Sequence, residues 1–297
     1  MRLLVKLNAI LIPVLGAGLA LTAWVAYRTI EAEAFEQVKD QARLVMESAQ
    51  AVRDYTSREV VPLLKDREGA EAFHPQAVPA YAARTTTEMV RRKGVIPEDL
   101  KQFIYREPSD NPTLFPQDLA TWEKEVINLF RNDPGLTEQS EDDYASSVGR
   151  LLYLAHPMRV DGSCLACHGR PEDAPPAMVK RYGDHGFGWT EGDVAAIKIV
   201  SVPRSVPIAR ARRAFLPLLA ALGLVAALTL LILNAALYRI VARPVARLSA
   251  WADGVSRGDL GRGELPVVGG AEVATLTAAC NRLYLSLLQA MDQLKKR

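Results

Sequence analysis

Phe215-Leu216-Pro217-Leu218-Leu219-Ala220-Ala221-Leu222-Gly223-Leu224-Val225-Ala226-Ala227-Leu228-Thr229-Leu230-Leu231-Ile232-Leu233-Asn234-Ala235-Ala236-Leu237 carries no charge. At about 1.5 Å per helical residue, such a run crosses the roughly 30 Å apolar layer of a bilayer. Pro217 lies near its start, where a helix tolerates it. A second uncharged run, Leu7–Tyr27, lies between Lys6 and Arg28. It exceeds the apolar region of a signal peptide, about 7–15 residues. Helix-forming sequence, Glu31–Phe35, follows it in place of a small-residue cleavage site. This run reads as an uncleaved anchor. A buried hairpin of a soluble protein is the competing reading, and both lengths speak against it. The fold class expected is a membrane protein with two transmembrane helices.

The rest of the composition narrows the class. Lys and Arg number 36 against 34 Asp and Glu, a net charge of +2. That balance excludes nucleic acid as the main partner, because phosphate binding needs a basic face. A charged share of 24% with 49% hydrophobic residues excludes a mostly disordered chain. Three cysteines, Cys164, Cys167 and Cys280, exclude a disulfide-rich scaffold. Arg2 and Lys6 place the N-terminus inside. Arg210, Arg212 and Arg213 on one side of the second run and Arg239, Arg243 and Arg247 on the other leave that span without a directional signal. The expected layout is an anchor at 1–28, an extracytoplasmic domain at 29–214, a second span at 215–238 and a cytoplasmic tail at 239–297. In a bacterium this places the middle domain in the periplasm and both termini in the cytoplasm, with the inner-membrane bilayer as a partner.

The outer segment opens with a helical stripe: Val38, Ala42, Val45, Ala49, Val52, Thr56 and Val60. The first span is expected to run on into this helix, with Pro62 close to its end. Further helices fit Val78–Lys93, closed by Gly94, and Leu119–Phe130, before Asp133-Pro134-Gly135. Extended segments fit Gln102–Arg106, Leu151–Met158 and Val194–Val202. Helices followed by strands predict an α+β domain whose sheet is covered by helices on one side.

One motif carries chemistry. Cys164-Leu165-Ala166-Cys167-His168 is a C-x-x-C-H, the attachment pattern of c-type haem. Each thiol would form a thioether with one vinyl group, and His168 would supply the proximal nitrogen to iron. Haem of this type is attached outside the cytoplasmic membrane, where the spans independently place this segment. Three other readings compete. A thioredoxin-like dithiol or a Cys164–Cys167 disulfide gives the adjacent His no role. A zinc site needs four ligands, and only three stand here. The expected cofactor is one covalently bound haem c per chain.

The sixth ligand stays open. His74, His156 and His185 are the remaining histidines, and Met158 and Met178 offer thioethers. A lone His is more often a surface or hydrogen-bonded residue than a ligand. An open sixth position is a further alternative. Two strong axial ligands favour electron transfer or redox sensing, whereas an open position permits gas binding.

The segment resembles the PAS-like periplasmic c-type haem sensor-domain family, formerly catalogued as a domain of unknown function. Matching stretches run in order: Phe73-His74-Pro75-Gln76-Ala77-Val78-Pro79-Ala80-Tyr81-Ala82, Tyr105-Arg106-Glu107-Pro108-Ser109-Asp110-Asn111-Pro112 and Trp122-Glu123. Cys164-Leu165-Ala166-Cys167-His168-Gly169, Tyr182-Gly183 and Gly186-Phe187-Gly188-Trp189 complete the set. The resemblance implies a PAS-like sheet and helices around the haem. Axial chemistry varies in that family, and no third cysteine lies within 29–214 to act as a thiolate ligand. Tyr105, Arg106 and Asn111 read either as a turn with a surface Arg or as contacts to a haem propionate. Phe187 and Trp189 read either as a packed turn or as a wall of the haem pocket.

The tail is similar to a HAMP domain. Arg243-Pro244-Val245-Ala246-Arg247-Leu248 begins one amphipathic helix, continued by Trp251 and Val255. A glycine-bearing connector, Gly258-Asp259-Leu260 to Gly269-Gly270, follows. Val273, Leu276, Cys280, Leu283, Leu287, Ala290 and Leu294 then form a heptad seam. Cys280 reads as a core residue of that seam. Two short amphipathic helices bury little alone, so a homodimer through the HAMP and transmembrane helices is expected. The alternative is a helix pair lying on anionic lipid.

Together these features predict a haem-based transmembrane sensor or adaptor that relays redox state or a small ligand to a separate cytoplasmic signalling protein. The alternative is a membrane-anchored c-type cytochrome with a redox partner. No distal acid–base pair supports an enzyme, and no output module is recognised after the second tail helix.

Overall fold

The structure is a computed structural model that describes residues 2–65, 73–94, 96–113, 119–147, 149–268 and 270–295. Contacts divide the chain into two compact units, Thr29–Ala214 and the pair Met1–Arg28 with Phe215–Arg297.

Helix α1 is continuous from Arg2 to Tyr55. It passes through a π-helical turn, Thr56–Val60, into α2 (Val61–Lys65). Within the Thr29–Ala214 unit, α1 buries Val38, Ala42, Met46 and Ala49 completely. These four residues recur at helical spacing, so one stripe meets the core. Thr56 is also buried and returns its hydroxyl to the Val52 carbonyl at 2.7 Å.

Four antiparallel strands form one sheet in the order β1-β4-β3-β2. They are β1 (Ile104–Arg106), β2 (Gln139–Ser146), β3 (Gly149–Arg159) and β4 (Val194–Pro203). Leu154 lies opposite Val200 and Leu152 opposite Val202 at the centre of the sheet. Leu152, Leu154, Val200 and Val202 face α1 and α3 (Pro79–Arg92). The alternate residues Tyr153, Ala155, Ile197 and Ile199 pack on Val126, Ile127 and Phe130 of α4 (Thr121–Asn132).

Helices therefore cover both faces of the sheet, which corrects the expectation of one covered side. The physical reason stands in the strands themselves. Leu151–Ala155 and Val194–Ile197 are apolar on consecutive residues, as doubly buried strands are. Strand β2 is absent from the sequence reading because Gln139–Ser146 is polar and acidic. Charged side chains suit an edge strand, which must not pair with another chain.

Two short helices follow β3: α5 (Gly162–His168) and α6 (Pro176–Tyr182). Strand β4 then passes through Arg204 into α7 (Ser205–Leu237), and the Arg204 N–H bonds the Arg150 carbonyl at 2.9 Å. Val206 and Ala211 are buried, and Arg210 reaches Asp99 at 2.8 Å and Gln41 at 2.7 Å.

In the other unit, α1 and α7 are long and apolar enough to cross a membrane. Asn8 and Asn234 exchange side-chain amide hydrogen bonds of 2.7 and 3.0 Å. Tyr27 meets Phe215 edge-on at 5.3 Å. A second π-helical turn, Tyr238–Ala242, leads into α8 (Arg243–Ser256), and α9 spans Ala271–Lys295. Leu248, Trp251 and Tyr284 are buried together, with Cys280 packed partly against them. Asn281 bonds both the N–H and the carbonyl of Leu265, and Tyr284 donates to the Leu260 carbonyl at 2.6 Å. These bonds pin the connector between α8 and α9. Leu276, Leu283, Leu287 and Leu294 of the heptad seam stay exposed.

Candidate functional site

Helix α5 presents Cys164, Cys167 and His168. The offsets of three and four residues place all three on one helical face. Asp161 starts the helix by accepting from the backbone N–H groups of Ser163 at 2.8 Å and Cys164 at 3.3 Å. The Ser163 bonds hold the Asp161 carboxyl below its ordinary range. None of the three cysteines is in a disulfide. Cys167 packs with Met178 and Phe187, and with Phe73 and Tyr182.

His168 is fixed on two sides. Its ring stacks on Trp189, centroids 4.0 Å apart and planes 11° from parallel. Its Nδ1 lies 2.8 Å from the Gly186 carbonyl. A carbonyl only accepts, so Nδ1 carries the hydrogen and Nε2 keeps its lone pair. Burial pushes the imidazole pKa down, and the Gly186 bond pulls the other way. The Trp189 indole N–H beside it is buried and has no acceptor among the described residues.

A second shell holds Gly186. The Asn111 side chain accepts from the Gly186 N–H at 3.1 Å and donates to the Phe187 carbonyl at 2.8 Å. Asn111 is itself placed by Ser109, whose hydroxyl accepts from the Asn111 N–H and donates to the Ala195 carbonyl at 2.7 Å. Gly186 has φ +80°, and a Cβ there would stand 2.8 Å from Thr113 Cα. Only glycine fits both conditions. The Thr113 hydroxyl lies 3.5 Å from His168 Nδ1. It also lines an open cavity of about 610 Å³ with Tyr81, Arg84, Arg181, Tyr182 and His185.

The remaining sequence candidates are placed as follows. Asn111, Phe187 and Trp189 join the His168 site. His185 stands exposed on the cavity rim, and exposed His74 precedes the Pro75–Ala77 turn. His156 bonds Glu138 at 3.0 Å, and the Met158 sulfur lies 3.7 Å from an Arg53 nitrogen. Met178 is buried beside Phe187. Tyr105 is buried in the core facing α1 and donates to Glu107, which pairs with Arg53 at 2.5 Å. Burial pushes the Tyr105 phenol pKa up, so it stays a donor. Arg106 lies 3.0 Å from the buried Glu123 carboxylate. Burial raises the Glu123 pKa, with Arg106 acting against it.

Sequence reasoning misses Asp161, Thr113 and the Gly186 carbonyl. Asp161 could have been found as a helix-starting residue ahead of the motif. The flanking glycines signal positive φ around Phe187. The pairing of Asn111 with Gly186 has no local signal, since it depends on tertiary approach alone.

Fold and site together define an α+β domain with two cysteines outside any disulfide and an oriented imidazole on one helical face. A family model described as Tll0287-like: Tll0287 matches residues 31–203, more than half of the chain, and the chain belongs to that family. Among solved structures, the crystal structure of the cyanobacterial heme-protein Tll0287 is similar, with TM-score 0.40 and 15% identity over 56% of this chain and 95% of that one. No curated protein matches.

Proposed function

We propose that the Thr29–Ala214 unit binds one haem covalently through Cys164 and Cys167, with His168 as an iron ligand. The whole chain then acts as a membrane-bound sensor that relays the redox or ligand state to a separate partner. The orientation of His168 carries the reading. With Nδ1–H tied to Gly186, Nε2 is the only ring nitrogen left to bind a metal. The residues present fit the group in other ways. Neither Cys164 nor Cys167 is in a disulfide, and both share a face with the imidazole. A buried indole N–H beside it has no acceptor among the described residues. The family takes its description from Tll0287, a cyanobacterial heme-protein.

Each thiol adds across one vinyl double bond: a C–S bond forms, the thiol hydrogen passes to the outer vinyl carbon, and no electron is gained or lost. When bound, the haem supplies a one-electron couple, and an open axial position would add a site for a small ligand. The Gly186 carbonyl raises the basicity of His168. Trp189 restricts rotation of the imidazole by stacking.

The membrane part of the proposal rests on exposed apolar surface. Ile10 is 68% exposed, Leu21 62%, Leu224 62% and Leu231 66%. Water does not tolerate a continuous surface of this kind, and lipid does. The exposed seam Leu276, Leu283, Leu287 and Leu294 supports a homodimer through α9. A relay needs a helix bundle with two packings that the haem state biases.

The test is expression of the full chain together with a c-type haem maturation system. Covalent haem at one per chain is expected, absent from Cys164→Ala/Cys167→Ala. A purified unmodified chain without covalent haem would end the proposal. For the relay, cysteine cross-linking along 273–294 should differ between oxidised and reduced protein. Identical patterns would instead favour an anchored electron carrier.

A further inference from the structure

We propose that Arg84 and Arg181 bind the two propionate carboxylates of the haem, on the rim of the cavity beside the attachment motif. This rests on the haem reading above. The cavity, about 610 Å³, is lined by Tyr81, Arg84, Thr113, Arg181, Tyr182 and His185, and among the described residues no Asp or Glu lines it. Two permanent cations therefore face one opening, and the acid that reaches its rim among the described residues is Asp184, 3.8 Å from His185. That composition suits an anion, and the planar guanidinium suits a carboxylate in particular.

Both arginines are held by aromatic rings rather than by acids. The Arg84 guanidinium lies 6.0 Å from the Tyr81 ring centre, and that of Arg181 lies 5.6 Å from the Tyr182 ring centre. Among the described residues neither makes an ion pair. Other arginines of the domain differ in this respect. Arg53 is paired with Glu107, Arg131 with Asp110 and Arg106 with Glu123. The last pairing matters because Arg106 is the propionate candidate that the sequence offers.

Two residues join the cavity to the attachment motif. Thr113 approaches His168 Nδ1 at 3.5 Å. Tyr182 packs edge-on to Phe73 at 5.5 Å, in the apolar cluster that includes Cys167. The apolar cluster around Cys167 thus shares Tyr182 with the arginine-lined cavity. An apolar macrocycle with two carboxylates matches that combination.

The experiment compares the full-length holoprotein with Arg84→Gln/Arg181→Gln and Arg84→Lys/Arg181→Lys. Cations beside the haem favour the ferrous form, which carries one positive charge less than the ferric form. The Gln pair should keep one covalent haem per chain. It should shift the ferric–ferrous equilibrium about tenfold towards ferric, a fall of about 59 mV for one electron. The Lys pair should recover most of that shift. If the double Gln variant does not retain haem, each single Gln substitution should show part of the fall. Full haem with an unmoved potential would overturn the arginine assignment alone, whereas no covalent haem in the unmodified chain would overturn the haem reading beneath it. A free carboxylate is the other source of the same chemistry. If added succinate moves the potential of the unmodified protein as far as the double Gln substitution does, the arginines serve a free anion and the assignment to propionates fails.

Discussion

Asn111 grips the backbone on both sides of the Gly186–Phe187 peptide, accepting from the Gly186 N–H at 3.1 Å and donating to the Phe187 carbonyl at 2.8 Å. The Gly186 carbonyl lies within that grip and orients His168. The loop after β1 therefore sets which imidazole nitrogen is free.

Asn111→Ala removes both bonds and leaves two backbone groups without partners. A stability loss of about 1–3 kcal/mol is expected from the unpaired groups. Thermal unfolding of the detergent-solubilised chain measures it. On the proposed haem ligation by His168, the haem spectrum should also broaden in this variant, because the bonds that place the Gly186 carbonyl against the ring are gone. An unchanged unfolding midpoint and spectrum would show that Asn111 does not position Gly186.

Gly186→Ala places a Cβ 2.8 Å from Thr113 Cα and 2.9 Å from its nitrogen at φ +80°. Both the clash and the left-handed backbone oppose the substitution, so a loss above about 1 kcal/mol is expected. Gly183 also has positive φ, but nothing lies within 4 Å of its Cβ position. Gly183→Ala should therefore cost less than Gly186→Ala in the same unfolding assay. Equal costs would assign the effect to φ alone.

Asp110 and Arg131 make two bonds, 2.6 and 3.0 Å, that tie this loop to α4. The Arg131 bond holds the Asp110 carboxyl below its ordinary value. A carboxylate lowered on folding stabilises fully above its unfolded pKa, about 3.9. That contribution disappears as pH falls through the lower native value. Because both side chains are partly exposed, solvent screening limits it to at most about 1 kcal/mol. The gap between the unmodified chain and Asp110→Ala should be present at neutral pH and close in strong acid. A gap that persists in acid would exclude the ion pair as its source.

Asn8 and Asn234 pair reciprocally along two otherwise apolar helices. A double-mutant cycle with Asn8→Ala and Asn234→Ala should give a coupling near 0.6 kcal/mol, with about 1.7 as an upper bound for such bonds in membranes. Unfolding in mixed detergent micelles reads the coupling. Strict additivity would show that the two amides find other partners.

Much of this architecture is legible because its signals are local. The uncharged runs give the long helices α1 and α7, and the stripe Val38–Ala42–Ala49 gives the buried face of α1. Doubly apolar strands are legible as extended segments, but their two covered faces are not, since periodicity reports burial and not the covering partner. The edge strand β2 escapes because its acids suit water rather than a core. At the site, Cys164, Cys167 and His168 stand together in sequence and are read directly. Arg84 on α3 and Arg181 on α6 line one cavity although they are far apart in sequence, so nothing near either residue announces the other. Arg106 shows the converse: a suggestive sequence position whose charge is taken up by Glu123.

The passage from β4 to α7 consists of Arg204, and its backbone N–H is tied to Arg150 on β3. Strand and helix are thus mechanically in series, with no flexible loop between them to absorb strain. The inner strand β4 continues into the first turns of α7, where Val206 and Ala211 are buried and Arg210 is anchored to α1 through Gln41. The junction is one residue long and hydrogen-bonded at that residue, so the end of the strand and the start of the helix share a single tethered point.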